Sequence, residues 1–214
     1  MTIRSLSIAL VLIMLSFVSV LGGCDAEATD VRETDKAFDK ALDSQSGAQA
    51  VTFLSKDSIA RLDRMMALAR TAKKAEVQAL SFTDRLDVLQ ARMLFKAKEL
   101  KTADGRLYFT RLVGSGWQGS TSDCTRVSIS VNGEKSRATI TYRIPRGKET
   151  FQGIWVKENG EWKSDVAAES DVGDRDAAER AKEIGMNMDQ YLMYRLEEGS
   201  GGEAIPPTIW DPPR

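Results

Sequence analysis

The stretch "TRVSISVNGEKSRATITYRIPRGKETFQGIWVKENGEWKSDVA", residues 125–167, decides the fold. Apolar and polar residues alternate with a period of two, the signature of half-buried strands. Turn signals break the run three times, at Asn132-Gly133, at the four-residue connection Pro145 to Lys148, and at Asn159-Gly160. Asn-Gly favours the two-residue type I′ hairpin, because both central residues need positive φ. Strands are therefore expected over 125–131, 136–143, 149–157 and 161–167. Each turn fixes a register. The first sets Val131 opposite Glu134, Val127 opposite Ala138 and Thr125 opposite Ile140. The second sets Tyr142 opposite Phe151 and Ala138 opposite Trp155. The third sets Trp155 opposite Ser164 and Gly153 opposite Val166.

All three turns place one apolar set on a single face: Val127, Ile129, Val131, Ala138, Ile140, Tyr142, Phe151, Trp155, Trp162 and Val166. The other face receives Arg126, Ser128, Arg137, Thr139, Thr141, Arg143, Gln152, Lys163 and Asp165, with two apolar misfits, Ile154 and Val156. An antiparallel meander with one dry face needs a layer to cover it.

That layer lies upstream, where the period becomes helical. "DAEATD" (25–30) reads as a tether. A helix then starts at the Asp30-x-x-Glu33 capping signal and carries Val31, Phe38 and Leu42 until "DSQSG". After the apolar segment Val51 to Leu54, Ser55 or Ser58 caps a second helix with Ile59, Leu62, Met66 and Ala69 on one side. A third carries Leu86, Leu89 and Met93, with Thr83 as N-cap, and stops at "TADG" (102–105). Leu107 to Val113 reads as a first strand entering a glycine loop. Beyond Ala168, "GDRDAAERAKEIG" and "MNMDQYLMYRLEEG" read as helices. "GSGGEAIPPTIWDPPR" reads as an extended tail unless Ile209 and Trp210 dock. The fold class is α+β, helices packed on a curved antiparallel sheet, with the domain over 31–168, a helical extension over 169–198 and a tail over 199–214.

Helices followed by a meander ending in "WVKENGEWK" resemble the nuclear transport factor 2-like domain over roughly Val31 to Ala168. The resemblance implies a cone with a pocket between helices and sheet, and no single function. The first residues, "MTIRSLSIALVLIMLSFVSVLGGC", combine Arg4, an apolar run from Leu6 to Leu21 and the ending "LGGC". This order fits a secretory signal over 1–23, and "LGGC" resembles the lipobox of bacterial lipoproteins. That resemblance implies cleavage before Cys24, acylation of Cys24, and a protein anchored to a membrane of the cell envelope. An acylated Cys24 leaves Cys124 without an intrachain partner.

The 214 residues include no histidine, and the formal net charge is −1. Histidine-dependent nucleophile systems, H-E-x-x-H zinc sites and His-ligated haem are thereby excluded. Near neutrality argues against bulk nucleic-acid binding. Gly114, Gly116 and Gly119 in "LVGSGWQGSTSDC" form G-x-G-x-x-G, but a strand rather than a helix follows. The stretch is therefore expected to be a mobile loop and not a phosphate cradle. No cofactor or metal is expected. Tyr142, Phe151, Trp155 and Trp162 are core or pocket residues, and Tyr142 is the one inner-face group with acid–base chemistry if an unidentified carboxylate joins it. Asp63, Glu76, Asp84 and Asp87 read as solvated. Arg126, Arg137, Arg143, Ile154 and Val156 mark an outer face open to a protein partner, to a second copy, or to the C-terminal helix through Tyr191 and Leu192. The expected function is non-enzymatic binding from a lipid anchor. The alternatives are an enzyme of the cone family and a structural accessory of an envelope complex.

Overall fold

A computed structural model describes residues 26–145 and 149–213. The signal segment, Cys24 and the centre of the Pro145–Lys148 connection lie outside them. Helix α1 (26–43), α2 (Gly47–Ala50), α3 (Lys56–Thr71), α4 (Lys74–Gln78), α5 (Phe82–Leu94), α6 (Ala97–Leu100) and α7 (Gly105–Gly114) precede the sheet. Strands β1 (Thr125–Val131), β2 (Arg137–Arg143), β3 (Thr150–Glu158) and β4 (Glu161–Ser164) form an antiparallel meander in the order β1-β2-β3-β4. Helices α8 (Val166–Glu183) and α9 (Met188–Gly199) and a 3-10 turn (Pro207–Trp210) follow. Among the described residues, no helix is long and apolar enough to cross a membrane.

Local chemistry explains most helix starts. Ser55 caps α3 by accepting the Ser58 N–H (3.0 Å), and Asp104 caps α7 by accepting the Leu107 N–H (2.8 Å). Ser81 caps α5, while Thr83, the expected cap, instead donates to Asp174 of α8 (2.6 Å). Residues 26–30 belong to α1 and are not a tether.

Two further expectations fail. Residues 107–113 are helical, because Tyr108, Phe109, Leu112 and Val113 recur at helical spacing and are all buried. "TADG" therefore starts a helix. The last strand stops at Ser164, where Asp165 turns the chain by accepting the Ala168 N–H and capping α8. Val166 accordingly leaves the sheet.

The core lies between the sheet and the helices. Phe38 of α1 packs edge-on against Trp155 (ring centroids 6.0 Å apart) and stacks at 6.4 Å on Phe109 of α7. Ala138, Ile140, Tyr142, Trp155 and Trp162 are buried. Full burial of one large apolar side chain contributes roughly 2–3 kcal/mol. Behind this layer α3, α5 and α7 pack together, and α8 and α9 close the flank of α5.

The tail is docked. Ile205 and Ile209 are buried, and the Ile209 carbonyl accepts from Arg92 Nη1 (3.0 Å). Arg92 also reaches the Ala69 carbonyl near the end of α3 (3.0 Å). One cation thereby serves a helix end, as the macrodipole favours, and the tail.

Candidate functional site

The registers of the second and third turns hold: Tyr142 faces Phe151, Ala138 faces Trp155, and Trp155 faces Ser164. Asn159 and Gly160 take φ of 52° and 88°, the conformation their dipeptide favours. The first turn differs. Asn132-Gly133 opens a longer connection in which Lys135, at φ 54°, donates to the Asn132 carbonyl (2.9 Å). The side chain of Asn132 accepts from the Ser136 and Arg137 N–H groups (2.9 and 3.0 Å). Val131 consequently faces Ala138, and Ile129 faces Ile140. The slip is an even number of residues, so these side chains keep their face.

A β-bulge between Arg126 and Ser128 then exchanges two side chains. Arg126 comes opposite Tyr142 and turns inward, while Val127 is left exposed. This overturns the placement of Arg126 on the outer face and of Val127 on the inner one. Arg126 donates through Nε to Asp35 and through Nη2 to Asp39, both on α1. The Tyr142 hydroxyl donates to the other Asp35 oxygen. Thr121, in the glycine-containing loop, donates to Asp39 from its N–H and its hydroxyl (both 2.8 Å). Gly153 makes room for the tyrosine, since a Cβ there would meet its ring at 3.0 Å.

Asp35 is the carboxylate that partners Tyr142. A signal for it exists in the sequence: Asp35 lies four residues after Val31 and three before Phe38, inside the apolar stripe of α1. Its carboxyl is raised above the usual range by burial, against the pull of Tyr142 and Arg126. Burial, followed by the Asp35 charge, pushes the Tyr142 phenol far above its ordinary value. A phenol so held does not give up its proton near neutral pH. The cluster therefore ties α1, β1, β2 and the loop together.

Two further carboxyl groups turn inward, and one of them, Asp87, is expected from the sequence to be solvated. Asp87 is buried and meets Arg61 Nη1 at 2.7 Å, as an ion-pair contact rather than an aligned hydrogen bond. It also accepts from the Tyr108 hydroxyl (2.9 Å). Glu169 of α8 turns its carboxyl inward, where Oε1 accepts from the Ile154 N–H (2.8 Å). Burial and the neighbouring charges of Asp165 and Asp35 raise it to about 7. Among the described residues, no cluster of His, Cys, Asp or Glu is arranged to hold a metal.

The glycine loop follows the end of α7, and Gly116 takes φ 77° as a helix C-terminus demands. A helix C-terminus carries negative partial charge and repels phosphate. The loop is fastened rather than mobile: besides Thr121, Ser120 and Ser122 bond to Asp43, and Trp117 lies against Gly199.

Arg137 and Arg143 are exposed on the outer sheet face and Val156 is half-buried there. Ile154 is buried, with its N–H held by α8. Tyr191 and Leu192 do not cover this face. They are buried against α5, where Tyr191 stacks on Phe82 at 5.5 Å.

The opening on this side of the molecule lies at a sheet edge. Ile144 N–H donates to the Glu149 carbonyl, and Lys157 N–H to the Ser136 carbonyl, so odd-numbered residues of β3 bond β2. Even-numbered ones point away, as Ile154 shows by accepting from the Asp165 N–H (2.8 Å). Along β3, strand β4 covers only Trp155 to Glu158. The N–H and C=O groups of Thr150 and Gln152 thus face the side where β4 has ended, and both residues are exposed. Alongside runs a cleft of about 350 Å³, walled by Ile144, Glu149, Thr150 and Phe151 on the sheet and by Asp176, Glu179, Arg180 and Glu183 on α8. Arg180 spans it to Glu149 (3.1 Å). Of the expected pocket residues, Phe151 lines this cleft and Trp162 lines a second one beside Glu161, although Trp162 is largely buried; Tyr142 and Trp155 are core. Comparisons with protein-family models, with curated proteins and with solved structures returned no match.

Proposed function

We propose that this chain is a lipid-anchored envelope protein whose folded domain is a binding module rather than an enzyme. Its ligand is an extended peptide segment added along the open edge of β3. The observation that carries this reading is the half-paired edge: Thr150 and Gln152 offer a strand's hydrogen-bonding groups beside a helix-walled cleft, the geometry of β-strand addition. Among the described residues, four carboxylates against one arginine on the cleft walls favour Lys- or Arg-bearing segments. The "LGGC" ending at Cys24 supports the anchor. The nuclear transport factor 2-like kinship belongs to the same proposal, supported by α1 packed through Phe38 on Trp155 of the antiparallel meander. The inner face of that cone is filled by Trp155, Phe38 and Phe109, so the ligand goes to the rim.

The test is fluorescence anisotropy with two synthetic extended peptides, one alternating Lys with Val and one alternating Glu with Val. The Lys peptide is expected to bind and the Glu peptide not. Gln152→Pro removes one edge N–H without touching the pairing to β2, a position where strand proline is tolerated. It should abolish binding while leaving the melting temperature in place. Binding that survives Gln152→Pro, or no binding of the Lys peptide, sinks the proposal. Partition into detergent that persists in Cys24→Ser would sink the anchor.

A further inference from the structure

Helix α1 is already formed at residue 26. Two peptide units separate it from Cys24, and even a fully extended chain covers only about 7 Å over that span. This is less than the diameter of a helix, about 10 Å with side chains. The start of α1 is also staked to the sheet. Glu27 pairs with Lys157 of β3 at 2.7 Å. Its carboxyl is held below the usual range by that lysine and, more weakly, by Lys135. Lys157 precedes the β3–β4 turn and Lys135 sits in the β1–β2 turn, so both mark one end of the sheet. A second cleft between Asp30 and Glu33 of α1 and Glu161 of β4 places the first turns of α1 beside that same end.

We infer that the domain stands on the bilayer in one orientation, with the β1–β2 and β3–β4 turns against the lipid headgroups and the cleft between β3 and α8 facing away. This rests on the proposed acylation of Cys24. A lipid on Cys24 holds that residue at headgroup level, and the short span cannot let the domain tumble over it. Strand β3 spans about 26 Å from Glu158 to Thr150. Its open edge therefore stands more than two Debye lengths from the turn end at physiological salt, out of reach of the membrane's own charge. The membrane-side charges alternate in sign, with Lys135, Lys157 and Lys163 among Glu134, Glu158 and Glu161. The acyl chain rather than this surface supplies the attachment.

The test uses the full chain, processed in membranes and reconstituted into phosphatidylethanolamine/phosphatidylglycerol vesicles. Bimane is placed at Glu134→Cys or at Glu183→Cys, each in a Cys124→Ser background, and a headgroup-nitroxide lipid is the quencher. The label at position 134 is expected to be quenched several-fold more than the label at 183. A flexible Gly/Ser linker inserted between Asp25 and Ala26 should erase the difference. The mass of the N-terminal peptide from the same sample reports acylation. An unmodified Cys24 overturns the anchor and the orientation together. An acylated Cys24 with equal or reversed quenching overturns the orientation alone. A difference that survives the linker would show that the surface itself binds lipid, which also overturns it.

Discussion

Two buried nodes in this protein share one composition: an arginine, a pair of aspartates one helical turn apart, and a tyrosine. Among the helices, Arg61 of α3 meets Asp84 and Asp87 of α5, with Tyr108 of α7 on Asp87. Under the sheet, Arg126 of β1 meets Asp35 and Asp39 of α1, with Tyr142 of β2 on Asp35. They differ in how the arginine arrives and in which partner keeps contact with water. Arg61 projects from a regular helix and keeps only 6% of its side-chain surface exposed, whereas Arg126 reaches inward through a β-bulge and keeps 20%. The same chemistry therefore serves two tasks. The first node joins helices around a dry arginine, although Asp84 (27%) and Asp87 (13%) keep more exposed surface than Asp35 (3%) and Asp39 (5%); the second fastens the helices to the sheet through dry carboxylates and an arginine that water touches.

The sharpest way to break the comparison is to remove each arginine. Arg61→Ala leaves Asp87 buried without its cation, and such a loss costs about 3–5 kcal/mol. Chemical denaturation should show it. A loss below that of Arg126→Ala would mean that Asp87 does not depend on Arg61 for its burial.

A third carboxyl sharpens the contrast because, among the described residues, no arginine pairs with it. Glu169 sits beside β3 with its pKa raised to about 7, by burial first. In the unfolded chain it titrates near 4.5. Between those values the folded state holds a proton that the unfolded state has lost. Its stabilising contribution is thus complete at acid pH and disappears as pH rises through about 7. The change is at most about 3 kcal/mol, since part of the residue's surface stays in contact with water. Glu169→Gln keeps an acceptor for the Ile154 N–H and should flatten this part of the stability–pH curve. An unchanged slope would show that Glu169 is ionised in the fold.

Arg126→Ala should cost less, about 2 kcal/mol at neutral pH. Water reaches the Arg126 side chain, Thr121 still serves Asp39, and Asp35 can keep its proton. Losing the cation raises Asp35 further, so the variant is penalised as pH rises and approaches the parent protein in acid. A deficit that grows in acid would contradict the node as described.

What could be read in advance follows the range of the interaction. Asn159-Gly160 adopts the positive φ pair its dipeptide favours, because nothing distant competes. Asn132-Gly133 carries the same local signal and yields, because pairing Ile129 with Ile140 over the core outweighs a preferred turn. The even slip kept Ile129 and Val131 on the inner face, and the registers that held kept Ala138, Ile140, Trp155 and Trp162 there. The bulge that sends Arg126 inward depends on Asp35 and Asp39, some ninety residues away, and no period in β1 announces it. Helix α7 was legible but misread: Tyr108, Phe109, Leu112 and Val113 fit a helix, and Asp104 is its cap. The open edge of β3 became visible only once Asp165 was seen to end β4.

The smallest expected effect lies at the rim of the sheet-side node. Cys124 is a half-buried free thiol at the end of the fastened loop. Burial raises its pKa, and the charges of Asp39 and Asp123 raise it further against the weaker pull of Arg126. Thiolate is the reactive form, so near neutral pH alkylation by iodoacetamide should be slower than for a free cysteine in solution. Its side chain takes no part in the bonds that join Thr121, Asp39 and Arg126. Cys124→Ser should therefore change stability by under about 1 kcal/mol and leave the Arg126→Ala deficit unchanged when the two are combined, as independent sites are additive. Coupling between them would place Cys124 inside the node and make the sheet-side cluster larger than its helical counterpart.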